Sequence, residues 1–108
     1  MSCPTPLSSV EVVTRTTVRI AFTGELDMAS APQARHVLTA AGSVGCREVE
    51  VDLEDLSFCD AAGLRVFEEA HQKCAENGGL LVLTDPRPLL LRVLELTGLT
   101  YLLLDQGT

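Results

Sequence analysis

At 108 residues, 46% of them apolar, the chain can close one hydrophobic core but is too short for two ordinary domains, so residues 1–108 are read as a single domain. With 15 acidic and 8 basic side chains the formal charge is −7, which repels phosphate backbones and anionic headgroups and argues against nucleic-acid or membrane-surface binding. No apolar run is long enough for membrane insertion, and Met1–Ser9 has no basic stretch leading into an apolar core, so the cytoplasm is the expected compartment.

Residues 1–8 read as a flexible, proline-bearing lead. Val10 to Arg15 and Thr17 to Thr23 are rich in β-branched residues and nearly adjacent, which predicts a tight hairpin. In the second run Val18, Ile20 and Phe22 share one face, and Thr17, Arg19, Ala21 and Thr23 the other. Ser30 before Ala31-Pro32 predicts an N-cap and a first helix, with Ala34, Val37, Leu38 and Ala41 at helical spacing until Gly42. Glu48 to Leu53 alternates strictly and predicts a strand with Val49, Val51 and Leu53 inward. Two strands with one polar face each imply helices on a single side of the sheet, a two-layered α/β architecture.

Asp60 is a good N-cap for a second helix from Ala61 to about Asn77, stopped by Gly78-Gly79. Its wheel places Gly63, Leu64, Val66, Phe67, Ala70, His71 and Cys74 on one arc, with Ala61 and Ala62 on the polar side. Leu80 to Leu83 predicts an apolar strand, and Pro88 to Leu96 a third helix ended by Thr97-Gly98. Leu89, Leu90 and Leu91 are consecutive, so at least one must leave the core. Tyr101 to Leu104 predicts a final strand, giving the order ββαβαβαβ.

Three landmarks now carry a family resemblance. Thr23-Gly24-Glu25-Leu26-Asp27 is similar to the Gly-Glu-Leu-Asp turn of the STAS domain, the module named for sulphate transporters and anti-sigma factor antagonists. Leu53 to Leu64, reading Leu-Glu-Asp-Leu-Ser-Phe-Cys-Asp-Ala-Ala-Gly-Leu, resembles that family's central loop and helix start. Thr97-Gly98-Leu99 resembles the Ser-Gly-Leu after its third helix. The resemblance implies a mixed four- to five-stranded sheet with helices mainly on one face. It also implies a partner surface around the second helix start, drawn from Glu25, Asp27, Asp60, Ala61, Ala62, Gly63, Leu64 and Arg65. In bacterial relatives the partner is an anti-sigma factor with a histidine-kinase-like ATP-binding fold. In kinase-regulated relatives the residue after the aspartate is the phosphorylated serine; here it is Ala61, which has no hydroxyl. The implied reading is a binding regulator that cannot be switched off by phosphorylation at that position. An alternative is a STAS subunit of a stress-signalling scaffold or a lipid-transport complex.

The enzyme alternative rests on Cys59 and Arg65, spaced like the phosphate loop of cysteine-dependent phosphatases. Asp60 inside that loop opposes it, because it repels a dianion and caps the amides a phosphate needs. A redox role for Cys59 asks less, since a helix N-terminus can lower a thiol pKa. Cys3, Cys46, Cys59 and Cys74 form no Cys-x-x-Cys, and the histidines are His36 and His71, so no metal and no cofactor is expected. Ser57 and Thr23 are expected to make loop and turn hydrogen bonds. Some relatives carry a further C-terminal helix, and a homodimer is one way to cover the edge it would occupy.

Overall fold

The structure, a computed structural model, describes residues 7–43 and 47–103. Along the chain lie β1 (Leu7–Val12), β2 (Thr17–Leu26), α1 (Ala31–Ser43), β3 (Glu48–Asp52), β4 (Leu56–Cys59), α2 (Ala61–Glu76), β5 (Leu80–Thr84) and α3 (Pro88–Thr97), then a single 3-10 turn at Thr100–Leu102. β1 and β2 form the expected antiparallel hairpin, with Val10 opposite Ile20, but β1 starts three residues before Val10 and ends at Val12, so residues 13–16 make a longer connection than the tight one expected. β2 pairs β3 in parallel, Ile20 beside Val51, and β3 pairs β5 in parallel, Val51 beside Leu83. Parallel neighbours require crossovers, and α1 and α2 supply them. The result is a mixed five-stranded sheet in the order β1-β2-β3-β5, with β4 set against the end of β2.

Period-two alternation decides which face the helices cover. Val18, Ile20, Phe22, Val49, Val51, Leu81 and Leu83 are buried in one core with Leu38 of α1 and Leu64, Val66 and Phe67 of α2. The Phe22 and Phe67 rings meet at 6.2 Å between centroids, tilted by 53°, which fixes α2 over the middle of the sheet. On the opposite face Arg19 is exposed; its Nη2 lies 3.1 Å from Glu50 Oε1 and its Nη1 4.0 Å from Glu11 Oε1. There Glu50 pushes the Glu48 carboxyl above its ordinary range, first through a side-chain hydrogen bond, with burial and Coulomb repulsion adding to it. The two-layered arrangement read from the polar faces of β2 and β3 is the one observed.

Two elements differ from the sequence reading. β4 was not expected: it has four residues, its burial does not alternate, and its pairing with β2 is broken by a register shift between Gly24 and Glu25. Gly24 takes a φ of +91°, a backbone region that glycine enters freely and other residues rarely adopt. The expected last strand is instead the 3-10 turn, followed by a single parallel bridge from Leu103 to Leu83. Leu99 and Leu102 both enter the core, and a spacing of three fits a 3-10 turn but not a strand, which would put them on opposite faces.

Of the expected lead, Leu7 and Ser8 belong to β1, opposite Thr23 and Phe22. Residues 1–6, Cys3, Cys46 and Leu104 lie outside the described residues. In α3, Leu89 is exposed, Leu90 buried and Leu91 intermediate, as three consecutive leucines on one helix require. His71 sits at the edge of the core with its ring edge-on to Tyr101 at 5.3 Å.

Candidate functional site

Two helix starts converge where β2 and β4 end. Leu26 closes β2 fully buried, and its carbonyl accepts the Asp60 N–H at 3.1 Å. Asp27 then turns the chain: its Oδ1 accepts the Ala29 N–H at 3.0 Å and the Ser30 N–H at 3.1 Å. The Ser30 hydroxyl points back, accepting the Asp27 N–H at 3.0 Å. The sequence reading gave the cap of α1 to Ser30. The structure gives that work to Asp27, with Ser30 buried as its reciprocal partner, because the helical hydrogen bonds already begin with Ala31 N–H to the Asp27 carbonyl at 2.8 Å.

Asp60 is the N-cap of α2, in extended backbone, and its Oδ1 accepts the Gly63 N–H at 3.0 Å. Its second oxygen, Oδ2, accepts the Met28 N–H at 3.1 Å. One carboxylate therefore ties the entrance of α1 to the first turn of α2, a link that the capping motif alone does not reveal. Ser57 donates its hydroxyl to the Gly24 carbonyl at 2.9 Å and so holds β4 to the turn, the loop role expected of it.

The expected site residues come together, but they play different parts. Glu25, Ala61 and Arg65 are exposed; Asp27, Asp60 and Ala62 are partly buried; Gly63 and Leu64 are buried. Gly63 is packed so closely that a Cβ there would lie 2.7 Å from Cys59 Sγ and 2.8 Å from Leu26 Cγ. Gly63 and Leu64 thus shape the helix start, while Ala61 presents its methyl to solvent. Sequence reasoning passed over Met28, 76% exposed, and Phe58, 48% exposed, both next to this segment. The available signal was a large apolar residue in a turn and another in a strand too short to show a period.

The geometry works against the phosphatase reading. Burial, with a smaller contribution from the Asp60 charge, pushes the Cys59 thiol up to about 12. A helix N-terminus can lower a thiol pKa, but Asp60 already occupies the Gly63 amide and removes that help. The amides of Asp60 and Leu64 are also spent, on Leu26 O and Asp60 O, which leaves a phosphate fewer of the donors it needs. The same upward shift runs counter to an activated redox thiol. Iodoacetamide at neutral pH is expected to alkylate Cys59 far more slowly in the folded protein than in urea, since the thiolate fraction falls to roughly one in 10⁵. Mass mapping of the alkylated peptide checks this; equal rates in the two states would overturn it. The linkage sign follows from the same shift. The folded state holds this proton more tightly than the ordinary value of 9.0, so stability is unaffected below that pH and falls as pH rises from there towards 12.

A family model described as "Mlab, STAS domain" matches residues 11–105, nearly the whole chain. The chain belongs to the STAS domain family. This STAS domain is 33% identical over 86 residues to the anti-sigma-B factor antagonist of Staphylococcus aureus, covering 79% of this chain and 80% of that one. It superposes on the anti-sigma factor antagonist SpoIIAA in its unphosphorylated form with a TM-score of 0.81 at 27% identity, over 94% of this chain and 89% of the other. The phosphorylated form of the Bacillus cell fate determinant SpoIIAA gives a TM-score of 0.74, also at 27% identity, over 94% and 92%. Among the described residues no helix of this STAS domain is long and apolar enough to cross a membrane.

Proposed function

We propose that this STAS domain is an anti-sigma factor antagonist that binds a kinase-like anti-sigma factor through the start of α2, and that the complex cannot be switched off by phosphorylation at residue 61. The observation that carries the reading is the first turn of α2. Asp60 caps it and ties it to the α1 entrance, and the next residue, exposed and free to meet a partner, is Ala61. A phosphate would add about −1.5 to −2 charges at that point, enough to break or remake an interface, and a methyl group cannot accept one. A solved neighbour, SpoIIAA, is known in both an unphosphorylated and a phosphorylated form, which supports reading Ala61 as the loss of a switch. The protein then works in the cytoplasm by occupying its partner rather than by catalysis.

The test pairs the protein with the histidine-kinase-like anti-sigma factors of its own genome. With ATP present, intact-mass measurement is expected to show no phosphate at residue 61, while a complex with one of these proteins forms and persists. Stoichiometric phosphate on the segment 57–65 would overturn the constitutive part of the reading, and failure to bind any of these proteins would overturn the rest.

The description of the family model, which names Mlab rather than an antagonist, favours a second reading: a STAS subunit of a larger assembly such as a lipid-transport complex. Co-purification with a transporter ATPase, in place of an anti-sigma factor, would decide for it.

A further inference from the structure

Between β4 and the beginning of α3 lies a groove of about 390 Å³, large enough to take a ligand rather than a lone water. Leu56, Phe58, Leu89, Leu90 and Val93 supply its apolar lining, and Phe58 and Leu89 stand in it exposed to solvent. Phe58 and Cys59 carry the groove up to the Asp60 cap, so it adjoins the α2 start and forms one continuous surface with it.

Two features of the walls select the occupant, and the first is a strand edge. Among the described strands β4 pairs β2 alone, and all four β4 residues line the groove, so its unpaired backbone edge opens into the recess. Such an edge accepts a further strand, which gains main-chain hydrogen bonds whatever its sequence. The second feature is charge. Among the described residues Arg87 is the one charged side chain of the lining, and no carboxylate shares it. Its Nε donates to the Glu54 carbonyl at 2.8 Å, which holds the guanidinium beside the chain just before Leu56. The ion pairs among the described residues belong to Arg19 and Arg35, so the two terminal nitrogens of Arg87 remain for a ligand. α3 has no side-chain cap, and its hydrogen bonds begin with Leu91 N–H to the Arg87 carbonyl at 2.9 Å, so the Leu89 and Leu90 amides have no acceptor within the helix. Guanidinium and helix end favour an anion at the same end of the groove.

We propose that this groove binds the C-terminal end of a partner protein whose last residue is apolar: the final residues add to β4 as a strand, the last side chain enters the recess, and the terminal carboxylate meets Arg87. The direction follows from the anchor. Arg87 is tied to the chain just before β4 begins, so the carboxylate lies at that end and the bound segment runs antiparallel to β4, its upstream residues reaching towards Cys59. The buried side chain supplies affinity and the carboxylate fixes the register. A fatty acid would satisfy the apolar walls and the cation but would leave the strand edge unpaired.

The probe is the N-acetylated pentapeptide Thr-Ala-Thr-Ala-Leu with a free carboxylate, titrated into the full ¹⁵N-labelled chain. Backbone amide shifts are expected at Ser57, Phe58, Cys59, Leu89 and Leu90. Amidating the peptide C-terminus, or replacing its leucine by serine, should each weaken binding about tenfold, the value of a charge-assisted hydrogen bond in one case and of a buried aliphatic side chain in the other. Arg87→Gln should lower the acid peptide to the affinity of the amide and leave the amide where it was, which shows that the groove itself is intact. Methylating the peptide nitrogens one at a time should cost binding at alternate residues only, because successive N–H groups of a strand point to opposite sides. Dodecanoate, which has the carboxylate and an apolar tail but no backbone, should bind more weakly than the peptide. These titrations contain no anti-sigma factor, so their outcome is distinct from the fate of the Ala61 reading. Equal affinity of acid and amide, shifts that map elsewhere or are absent at millimolar peptide, methylation costs without alternation, indifference to Arg87→Gln, or tighter binding of dodecanoate would each overturn the proposal.

Discussion

Ala61→Asp is expected to weaken the anti-sigma complex by at least about tenfold, or about 1.4 kcal/mol, while leaving the fold as stable as before. The two effects separate because a negative charge means opposite things to the helix and to the partner. Residue 61 is the first residue of α2, where the unpaired amides make a carboxylate favourable by roughly 0.3–1 kcal/mol, and its exposure lets solvent screen the repulsion from Asp60 next door. For a partner surface matched to a neutral methyl group, the same carboxylate must be desolvated with no counter-charge prepared for it. Titration calorimetry against the anti-sigma factor measures the first effect and thermal unfolding the second. Thr39→Glu, an equal charge placed on the exposed side of α1, is the control and should change binding little. If Ala61→Asp bound as tightly as the native protein, the interface would have to lie away from the α2 start.

Sequence and structure agree best where hydrophobic periodicity and the caps act together. α2 begins at Ala61 because Asp60 accepts an amide proton there, and β3 runs where Val49 and Val51 alternate with glutamates. They part where the determinant is long-range. β4 exists because Glu25 and Leu26, beyond the bulge at Gly24, offer a free strand edge, and nothing in Leu56-Ser57-Phe58-Cys59 alone announces that. The same holds at the site. The Asp60 cap was legible in the sequence, but its second bond, to Met28 N–H, spans 32 residues and appears only when β2 and β4 lie side by side. Cys59 shows the same limit: position beside a helix start can lower a thiol pKa, but burial, which only the fold reveals, and the neighbouring Asp60 carboxylate raise it.

Gly63→Ala sets two effects of opposite sign against each other. Alanine in a helix is favoured over glycine by about 0.8–1 kcal/mol, so propensity alone would make the variant more stable. The new methyl, however, would lie 2.7 Å from Cys59 Sγ and 2.8 Å from Leu26 Cγ. Cγ is the branch point of a fully buried side chain, not a tip that can swing aside, so α2 or β2 must move. Overpacking of this kind costs about 1–3 kcal/mol, and the variant is therefore expected to be net destabilised, with the loss read as a lower denaturant midpoint at unchanged slope. Gly63→Val should lose more, since its branched β-carbon adds bulk against the same two neighbours. Adding Cys59→Ala removes the nearer clash and leaves that with Leu26, so the double variant should recover part of the loss, a coupling of about 0.5 kcal/mol or more. Because the Leu26 carbonyl holds the Asp60 N–H, the displacement passes straight to the cap, and Gly63→Ala should also weaken partner binding without touching an exposed atom. A variant as stable as the native protein would mean that the close approach of α2 to β2 is not what positions the helix start.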